Sequence, residues 1–463
     1  MRKEKDPLGS VDIPEDALWG PQTQRAVENF PISGLRFGRG FIHALGHVKK
    51  AAALANRDLG SLDEERGQAI LAACEEVIHG KWDDQFPVDI FQTGSGTSTN
   101  MNANEVIAHR ANRILGDAIK GDQAVHPNDH VNMSQSSNDV IPTAVHVAGV
   151  LSLRSRLIPA LEMFQKALEE KAEAFQDVVK TGRTHLQDAA PIRLGQEFSG
   201  YTAQARKSVE RAQRAREMLL ALPLGGTAVG TGLNRPPTFP QRAITYLNQA
   251  LEEEFFEADN HFEANAARDA LVNASGQLKT IAVSVTKIAN DIRWMGSGPR
   301  CGLGELKLPQ VQPGSSIMPG KNNPVIAEAL IQVAAQVISN DYAITLAGLG
   351  GYFELNLMMP LIAYHFLSSV SWLANALVVF VTRLLNGIEV NEETCQGDVE
   401  QNLSLVTALA PIIGHDRAAQ WSREAQQSGK TIREVAEASG EFTPQELDVI
   451  LDPKRMTNPH DGE

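Results

Sequence analysis

The chain has 463 residues, of which 43% are hydrophobic and 21% charged, which is the composition of a globular protein. Its formal net charge of −14 argues against binding to nucleic acid and to anionic membrane surfaces. Aromatic residues make up only 6% of the chain, which favours helices over a β-sandwich.

The three cysteines are odd in number and far apart, at Cys74, Cys301 and Cys395. This spacing provides neither a disulfide framework nor a pair of closely spaced metal ligands, so we expect a reducing compartment. The opening residues, MRKEKDPLGSVDIP, lack the apolar core of a signal peptide. We therefore predict a cytoplasmic protein.

Changes of pattern along the chain predict three domains and a mostly α fold. Residues 1–135 form a mixed, mainly helical domain with turn-rich tracts between short helical patterns. Residues 136–390 are interpreted as a central bundle of long helices, and residues 391–463, which are more charged, as a small C-terminal helical domain.

The first polar segment is QTGSGTSTNMNANE, residues 92–105. Gly94 and Gly96 allow tight turns, and Ser95 and Thr97 open a dense run of hydroxyl and amide groups. Such a loop leading into a helix can bind a carboxylate or phosphate through hydroxyls and backbone N–H groups. The same residues also suit a helix N-cap with a solvated first turn.

A second polar segment, HPNDHVNMSQSSNDVIPT, covers residues 126–143. Ser136, Ser137 and Asn138 precede a helix that we expect to start near Pro142. These three side chains either cap that helix or present donors to an anion. The histidines and aspartate of HPNDH have no matching set of Cys or Glu, so we predict no metal site.

The bundle helices are predicted from apolar periodicity. In residues 157–179 apolar side chains recur at steps of three and four, and the pattern returns in residues 278–292. Further long helices are expected after Pro324 and Pro360, because proline is tolerated in a first helical turn. The most apolar stretch, residues 373–385, is too short and too polar to span a bilayer, which favours a buried core helix. The stretch 361–385 is apolar on more than one side, which favours association through bundle helices.

The third polar segment is GRTHLQDA, residues 182–189, which we place at the end of a helical stretch. His185 lies in it between Thr184 and Gln187. Its titration range makes it the best proton carrier of the chain if it faces a site, although a lone histidine also suits a hydrogen-bonded structural role.

The fourth polar segment is PGSSIMPGKNNP, residues 313–324. Its three prolines exclude a helix interior or a central strand, so we predict a loop. Loops of this length are usually functional, although an ordinary helix connector is the alternative. The four segments together supply hydroxyls, amides, one His, one Lys and one Glu, a set that suits binding a small polycarboxylate and moving protons on it.

Motifs over almost the whole chain resemble those of the fumarase/aspartase superfamily. The segment GSSIMPGKNNPVIAEA is similar to the signature GSSxMPxKxNxxxxE, and TGSGTSTNMN, HPNDHVN, GRTHLQDA, LGGTAVGTGLN, SGPRCGLGE and FELN follow in family order. Within the superfamily the chain looks most like the class II fumarases, because LWG stands near its start and His185 occupies a position where aspartases typically carry Gln.

The resemblance implies a three-domain subunit whose long helices join those of three other subunits in a twenty-helix tetramer core. It also implies active sites shared between subunits and the reversible hydration of fumarate to L-malate, without metal or organic cofactor. A small dicarboxylate would be the substrate. An ammonia-lyase acting on aspartate, a hydratase for a substituted fumarate such as mesaconate, and an inactive structural member remain alternatives.

Site residues follow from the resemblance motif by motif. Ser315 would remove the C3 proton of malate, and His185 with Glu328 would handle the proton of the departing hydroxyl. Lys321 and Asn323 would hold a substrate carboxylate. The other substrate-binding positions are Ser95, Gly96, Thr97, Ser136, Ser137, Asn138, Thr184, Ser316 and Asn322, and a secondary anion site would use His126, Asn128 and Asp129.

Four positions depart from the family pattern. Asn322 stands where a small apolar residue is usual, and we expect it to affect affinity or to admit a bulkier or more polar substrate. Gln123 and Met133 replace basic residues near the secondary anion site, and Met359 replaces a frequent Arg.

Overall fold

The computed structural model describes residues 1–116 and 124–459, and its fold is mostly helical, as predicted. The α-helices in chain order are α1 (Pro21–Asn29), α2 (Arg39–Asp58), α3 (Glu64–Ile78), α4 (Thr97–Leu115), α5 (Ser137–Ser152), α6 (Ile158–Ala174), α7 (Leu194–Glu217), α8 (Phe239–Leu251), α9 (His261–Ala266), α10 (Asp269–Met295), α11 (Val325–Gly348), α12 (Met359–Arg383), α13 (Glu392–Gln401), α14 (Ala410–Ile413), α15 (His415–Ser428), α16 (Ile432–Ala438) and α17 (Pro444–Ile450).

The strands of the described residues pair only two at a time. They are β1 (Arg2–Asp6), β2 (Gly9–Ile13), β3 (Val179–Thr184), β4 (Gln187–Arg193), β5 (Ala221–Leu222), β6 (Phe256–Glu257), β7 (Leu306–Lys307), β8 (Gly351–Tyr352), β9 (Leu355–Asn356) and β10 (Glu389–Val390). The pairs β1–β2, β3–β4, β7–β10 and β8–β9 are antiparallel, and β5–β6 is parallel.

The long helices form where the apolar repeat predicted them. In α10 the residues Leu278, Ile281, Val285, Ile288 and Ile292 are all buried, because steps of three and four place them on one helix face. Helices α11 and α12 begin at Val325 and Met359, directly beside the prolines expected in or next to their first turns.

The helix predicted over residues 157–179 is shorter than its apolar pattern. It ends at Ala174, and Val179 starts a strand. The backbone N–H of Leu194 donates to Val178 O (2.8 Å) and that of Gly195 donates to Phe175 O (2.9 Å). These two carbonyls therefore accept hydrogen bonds from the start of the next helix and not from amides four residues further along the chain. The helix ends here although the apolar side chains keep a helical spacing.

The chain separates into two compact units. Unit 1 comprises residues 1–159, 210–282 and 335–374, and unit 2 comprises residues 160–209, 283–334 and 375–463. In unit 1, α2 packs against α3, α5 and α8. In unit 2, the C-terminal helices enclose a small core around Trp421, Val435 and Leu447. The three-domain boundaries at 135 and 390 stay a prediction.

Within the described residues, two helical stretches are long and apolar enough to cross a membrane by length and composition alone, Ser137–Ala174 and Met359–Gly387. Their most apolar windows are 61% and 44% buried inside the protein. In α12 the residues Phe366, Leu373 and Phe380 lie on the buried face. Core helices satisfy the same criteria, and the burial of these side chains agrees with a core role.

Candidate active site

The loop before α4 is shaped by two glycines. A Cβ on Gly94 would lie 1.9 Å from Leu357 O, and the carbonyl of Gly94 accepts a hydrogen bond from the backbone N–H of Met359 (3.0 Å). Gly96 has φ +72° immediately before α4 begins at Thr97. The close approach of two backbones therefore requires glycine at position 94, and the positive φ favours glycine at position 96.

A chain of hydroxyl groups joins the starts of α4 and α5. Ser95 Oγ lies 2.7 Å from Thr97 Oγ1, which in turn lies 2.7 Å from Ser137 Oγ. Each hydroxyl can rotate to donate or accept, so the chain can direct donors toward a bound anion. The structure thus brings together two polar segments that are about forty residues apart in sequence.

Helix α5 begins earlier than predicted. Ser136 is its N-cap and Ser137 its first residue, and Pro142 lies inside the helix. The prediction of a start near Pro142 was therefore wrong. The capping box outweighed the preference of proline for a first turn, because Ser136 N donates to Asp139 Oδ1 (2.9 Å) while Ser136 Oγ accepts from the first turn.

Asp139 and Asn138 connect this helix start to the loop at 224–234. The buried Asp139 Oδ2 accepts hydrogen bonds from the backbone N–H groups of Gly225 (2.9 Å) and Thr227 (3.0 Å). Asn138 Nδ2 donates to Ala228 O (2.8 Å). Burial raises the pKa of Asp139, and these backbone donors oppose the rise.

These elements enclose a cavity of about 300 Å³ in unit 1. Its described lining contains hydroxyl, amide and apolar side chains and no Lys, Arg or His, namely Thr97, Asn100, Met101, Asn132, Ser134, Gln135, Ser136, Ser137, Thr227, Ala228, Leu233 and Asn234. Sequence reasoning did not assign Asn132, Gln135 or Thr227 to a site. The signal available for Thr227 was its glycine-rich segment, LGGTAVGTGLN.

The predicted secondary anion site directly precedes, in the sequence, the residues Asn132 to Ser137 that line this cavity. The π-helical turn Pro127–Val131 holds Asn128 and Asp129, and His126 Nδ1 lies 3.1 Å from an Asp129 carboxylate oxygen. Met133 O accepts a hydrogen bond from Asn56 Nδ2 (2.9 Å). Gln123 lies outside the described residues.

In unit 2, the segment 313–324 is a loop, as predicted, and it is closed by its own hydrogen bonds. Gly314 N donates to Lys321 O (3.1 Å), and Asn323 Nδ2 donates to Gly314 O (2.6 Å). A Cβ on Gly314 would lie 2.2 Å from Lys321 O. The loop therefore depends on a bare backbone at Gly314.

The side chains of this loop have distinct surroundings. Ser315 Oγ accepts hydrogen bonds from the backbone N–H groups of Ile317 (3.3 Å) and Met318 (3.0 Å). Lys321 Nζ donates to Asn323 Oδ1 (2.6 Å). Ser316 and Asn322 are exposed.

His185 occupies the tip of a hairpin, so its predicted place at the end of a helix was wrong. Thr184 pairs with Gln187, and the two intervening residues, His185 and Leu186, have φ +57° and +59°. Two positive φ values suit a tight hairpin turn, but the residues usual there are Asn and Gly. The turn was missed because neither signal residue is present.

A buried ion cluster anchors the hairpin that carries His185. Lys180 Nζ lies 2.9 Å from Glu197 Oε2 and 3.0 Å from Glu305 Oε2, and Arg183 Nη1 donates to Glu305 Oε1 (2.6 Å). Glu305 is fully buried. Because a buried carboxylate needs its partners, this cluster fixes the hairpin, and sequence reasoning assigned it no role.

The structure thus collects the predicted residues into separate groups. Ser95, Gly96, Thr97, Ser136, Ser137 and Asn138 come together in unit 1, and Ser315, Ser316, Lys321, Asn322 and Asn323 share the loop in unit 2. Glu328 follows in the first turn of α11. His185 lies at the tip of the β3–β4 hairpin and Glu328 in α11, and their pairing stays a prediction.

Comparisons with known proteins give a consistent result. A family model described as Lyase matches residues 9–339, and one described as Fumarase C C-terminus matches residues 405–458. The chain is 56% identical to fumarate hydratase class II of Halobacterium salinarum over 457 residues, which cover 99% of this chain and 97% of that protein. It is 51% identical to the Nitrosomonas europaea protein of the same name, over 98% of this chain and 99% of that protein.

Solved structures agree over the full length. A recombinant class II fumarase from Schistosoma mansoni has a TM-score of 0.96 at 37% identity, covering 99% of this chain and 100% of that one. The fumarate lyase:delta crystallin protein from Brucella melitensis bound to cobalt has a TM-score of 0.94 at 48% identity, with the same coverage. The chain therefore belongs to the class II fumarate hydratase family.

Proposed function

We propose that the protein catalyses the reversible hydration of fumarate to L-malate. The observation that carries the proposal is the loop 313–324, which presents Ser315, Lys321 and Asn323 in one closed turn. Near-full-length similarity to proteins named fumarate hydratase class II supports the same reaction.

Ser315 is the proposed base for the C3 proton of malate. A serine hydroxyl has too high a pKa to act unaided, so its anion needs stabilisation. The backbone N–H groups of Ile317 and Met318 already point at its Oγ. Removal of the proton leaves negative charge on the adjacent carboxylate as an aci-carboxylate, and Lys321 with Asn323 would bind that charge.

His185 and Glu328 would complete the dehydration. The C3–H electron pair forms the double bond, the C2–O bond breaks, and a proton delivered from the His185 side releases the hydroxyl as water. The reverse sequence adds water to fumarate.

The cavity of unit 1 would hold the substrate by neutral donors. Ser95, Thr97, Ser137 and Asn138 offer hydroxyl and amide groups to a carboxylate, and the helix starts at Thr97 and Ser137 add backbone N–H groups. Thr184, Ser136, Gly96, Ser316 and Asn322 are the remaining proposed contacts. The segment with His126, Asn128 and Asp129 is proposed as a secondary anion site.

We further propose a homotetramer with active sites shared between subunits and three domains in each subunit. In this assembly His185 and Glu328 would meet across subunits. Exposed apolar side chains on the bundle helices, among them Trp294 (50%), Tyr342 (67%) and Leu346 (49%), suit helix packing between subunits. Sedimentation should give an active tetramer, and an active monomer would contradict shared sites.

The substrate is tested by incubating the purified protein separately with L-malate, L-aspartate and mesaconate and following the absorbance of the unsaturated acids. We expect turnover of malate. Turnover of aspartate but not malate would establish the ammonia-lyase alternative, and preference for mesaconate would assign a role to Asn322.

We propose a cytoplasmic location for the protein. The proposed reaction needs no metal. The described residues contain no group of three or more His, Cys, Asp or Glu side chains that could hold a metal ion. Activity should survive dialysis against a chelator, and loss that added metal restores would contradict this proposal.

A further inference from the structure

Lys49 is a buried cation that none of the predicted site residues explains. It lies in the middle of α2 and is fully buried, whereas the next residue, Lys50, forms an ion pair with Glu75. Lys49 Nζ donates to Asn132 Oδ1 (3.0 Å) and to Gln135 Oε1 (3.0 Å). Among residues 1–116 and 124–459, no carboxylate forms an ion pair with this ammonium.

Packing alone does not account for a lysine at this position. A buried ammonium that is held by neutral amides loses solvation that they only partly replace, and an apolar side chain of similar length avoids this cost. Burial accordingly lowers the pKa of Lys49 to about 7. The residue therefore opposes folding when it is charged, and its presence requires another reason.

Both amides that bind Lys49 line the cavity of unit 1. Asn100, a third lining residue, donates from Nδ2 to the same Asn132 Oδ1 (3.1 Å). Because the described lining is otherwise neutral, Lys49 places a positive charge one side chain behind the cavity wall. A charge at this depth is weakly screened by solvent, so it acts on an anion inside the cavity.

Lys49 also fixes the shape of that wall. Because both amide oxygens face Nζ, the amide nitrogens turn toward backbone carbonyls. Asn132 Nδ2 donates to Gln135 O (3.2 Å), and Gln135 Nε2 donates to Val131 O (3.0 Å) and Met133 O (3.0 Å). The turn held in this way includes Ser134 at φ +63° and leads into the start of α5.

We propose that Lys49 is an electrostatic and positioning residue for a dicarboxylate bound in this cavity, and that dianion binding and protonation of Lys49 favour each other. The identity of the dianion rests on the proposed function. The coupling itself requires only an anion in the cavity, because linkage between two bound charges is reciprocal.

The titratable groups that act on Lys49 are Asp139 of α5 and Cys74 of α3. Helix α8 also packs on α2, but it lies against His47 and Lys50 and not against Lys49. An anion in the cavity raises the pKa of Lys49 above its value in the free protein. Binding above about pH 7 therefore takes up a proton, and affinity weakens as pH rises through this range.

The test is calorimetric binding of succinate, a saturated dicarboxylate, to wild type, Lys49→Met and the control Lys50→Met between pH 6 and 9. We expect Lys49→Met to weaken binding about tenfold at pH 6.5 and to remove the pH dependence above 7. Its unfolding midpoint should be equal to or above that of wild type, because the uncharged side chain is less costly to bury. Lys50→Met should bind succinate like wild type.

Two outcomes would overturn the proposal. One is unchanged affinity and pH dependence in Lys49→Met, and the other is a fall of the unfolding midpoint together with affinity, which a purely structural residue would give. If Lys49→Met does not fold, the proton uptake that accompanies succinate binding to wild type is measured by calorimetry in buffers of different ionisation enthalpy. Absence of proton uptake at pH 8 refutes the coupling. Succinate binding needs no turnover, so a failure to dehydrate L-malate would remove the proposed reaction and leave this measurement valid.

Discussion

The cavity of unit 1 and the loop 313–324 of unit 2 are built in opposite ways. The cavity wall is fixed by contacts between residues far apart in sequence, such as Thr97 with Ser137 and Asp139 with Gly225. The loop is closed by bonds among its own residues and exposes Ile317 (84%) and Met318 (49%). The proposed binding groups thus lie on a rigid scaffold, while the proposed base lies on a segment that can move without disturbing a core.

Gly94→Ala tests the rigid side of this comparison and should have the largest effect. A Cβ there meets a backbone oxygen at 1.9 Å, which cannot shift without moving the start of α12. We expect the free energy of unfolding to fall by about 3 kcal/mol. Denaturant unfolding measures this change.

The matched control is Gly276→Ala in α10, where nothing lies within 4 Å of the added Cβ. Alanine should stabilise that helix by about 0.5–1 kcal/mol. Equal stability of the two variants would contradict the picture of a tightly fixed cavity loop.

Gly314→Ala makes the same chemical change in the loop. The Cβ would lie 2.2 Å from Lys321 O, so the closed turn must open. We expect about a 100-fold loss of kcat, because misplacing a reacting group by about 1 Å has an effect of this size. The unfolding midpoint should not change, and a midpoint that falls as it does in Gly94→Ala would remove the distinction between the regions.

Thr97→Val interrupts the hydroxyl chain at its centre without changing the shape of the side chain much. Losing a donor to a charged ligand should raise KM about tenfold with a smaller effect on kcat. Ser98→Ala is the control, because Ser98 Oγ pairs with Thr93 at the exposed start of the same helix. Equal KM values for the two variants would show that the chain of hydroxyl groups does not contact substrate.

Glu76→Gln tests the scaffold beneath α4 and should have the smallest effect. Glu76 of α3 accepts two hydrogen bonds from Arg110 of α4 (2.6 and 3.0 Å). Burial raises the pKa of Glu76, but hydrogen bonding outweighs this effect and lowers the pKa to about 2. The variant should lose about 1 kcal/mol of stability at pH 7.

The pH dependence of that difference has a defined sign. Because the folded pKa of Glu76 is depressed, its stabilisation is present above the unfolded value near 4.5 and is lost as pH falls toward 2. Denaturation curves of both proteins over this range should converge. A difference that persists at pH 2 would show that the glutamate acts by packing.

Elements that are determined by residues close together in the sequence could be predicted from it. The apolar repeat of α10 and the prolines of the loop 313–324 were sufficient, because side-chain spacing and backbone restriction act within a few residues. The resemblance supplied the site residues, but the geometry around Ser315 needed the structure.

Features set by distant contacts escaped prediction. The hairpin turn at His185 and Leu186 lacks the usual turn residues and is held by the buried Glu305 more than one hundred residues later. Lys49 stands beside the ion-paired Lys50 in an ordinary helical pattern, and only tertiary packing makes it buried. The cavity wall around Thr227 is likewise a product of pairing with Asp139.

The most direct test of Ser315 as the base is exchange of the C3 proton of L-malate in deuterated water, followed by NMR with wild type and Ser315→Ala. We predict that wild type exchanges this proton and that Ser315→Ala loses exchange by a factor on the order of 10²–10³ or more while still binding succinate. Exchange by Ser315→Ala at the wild-type rate would contradict the proposed base.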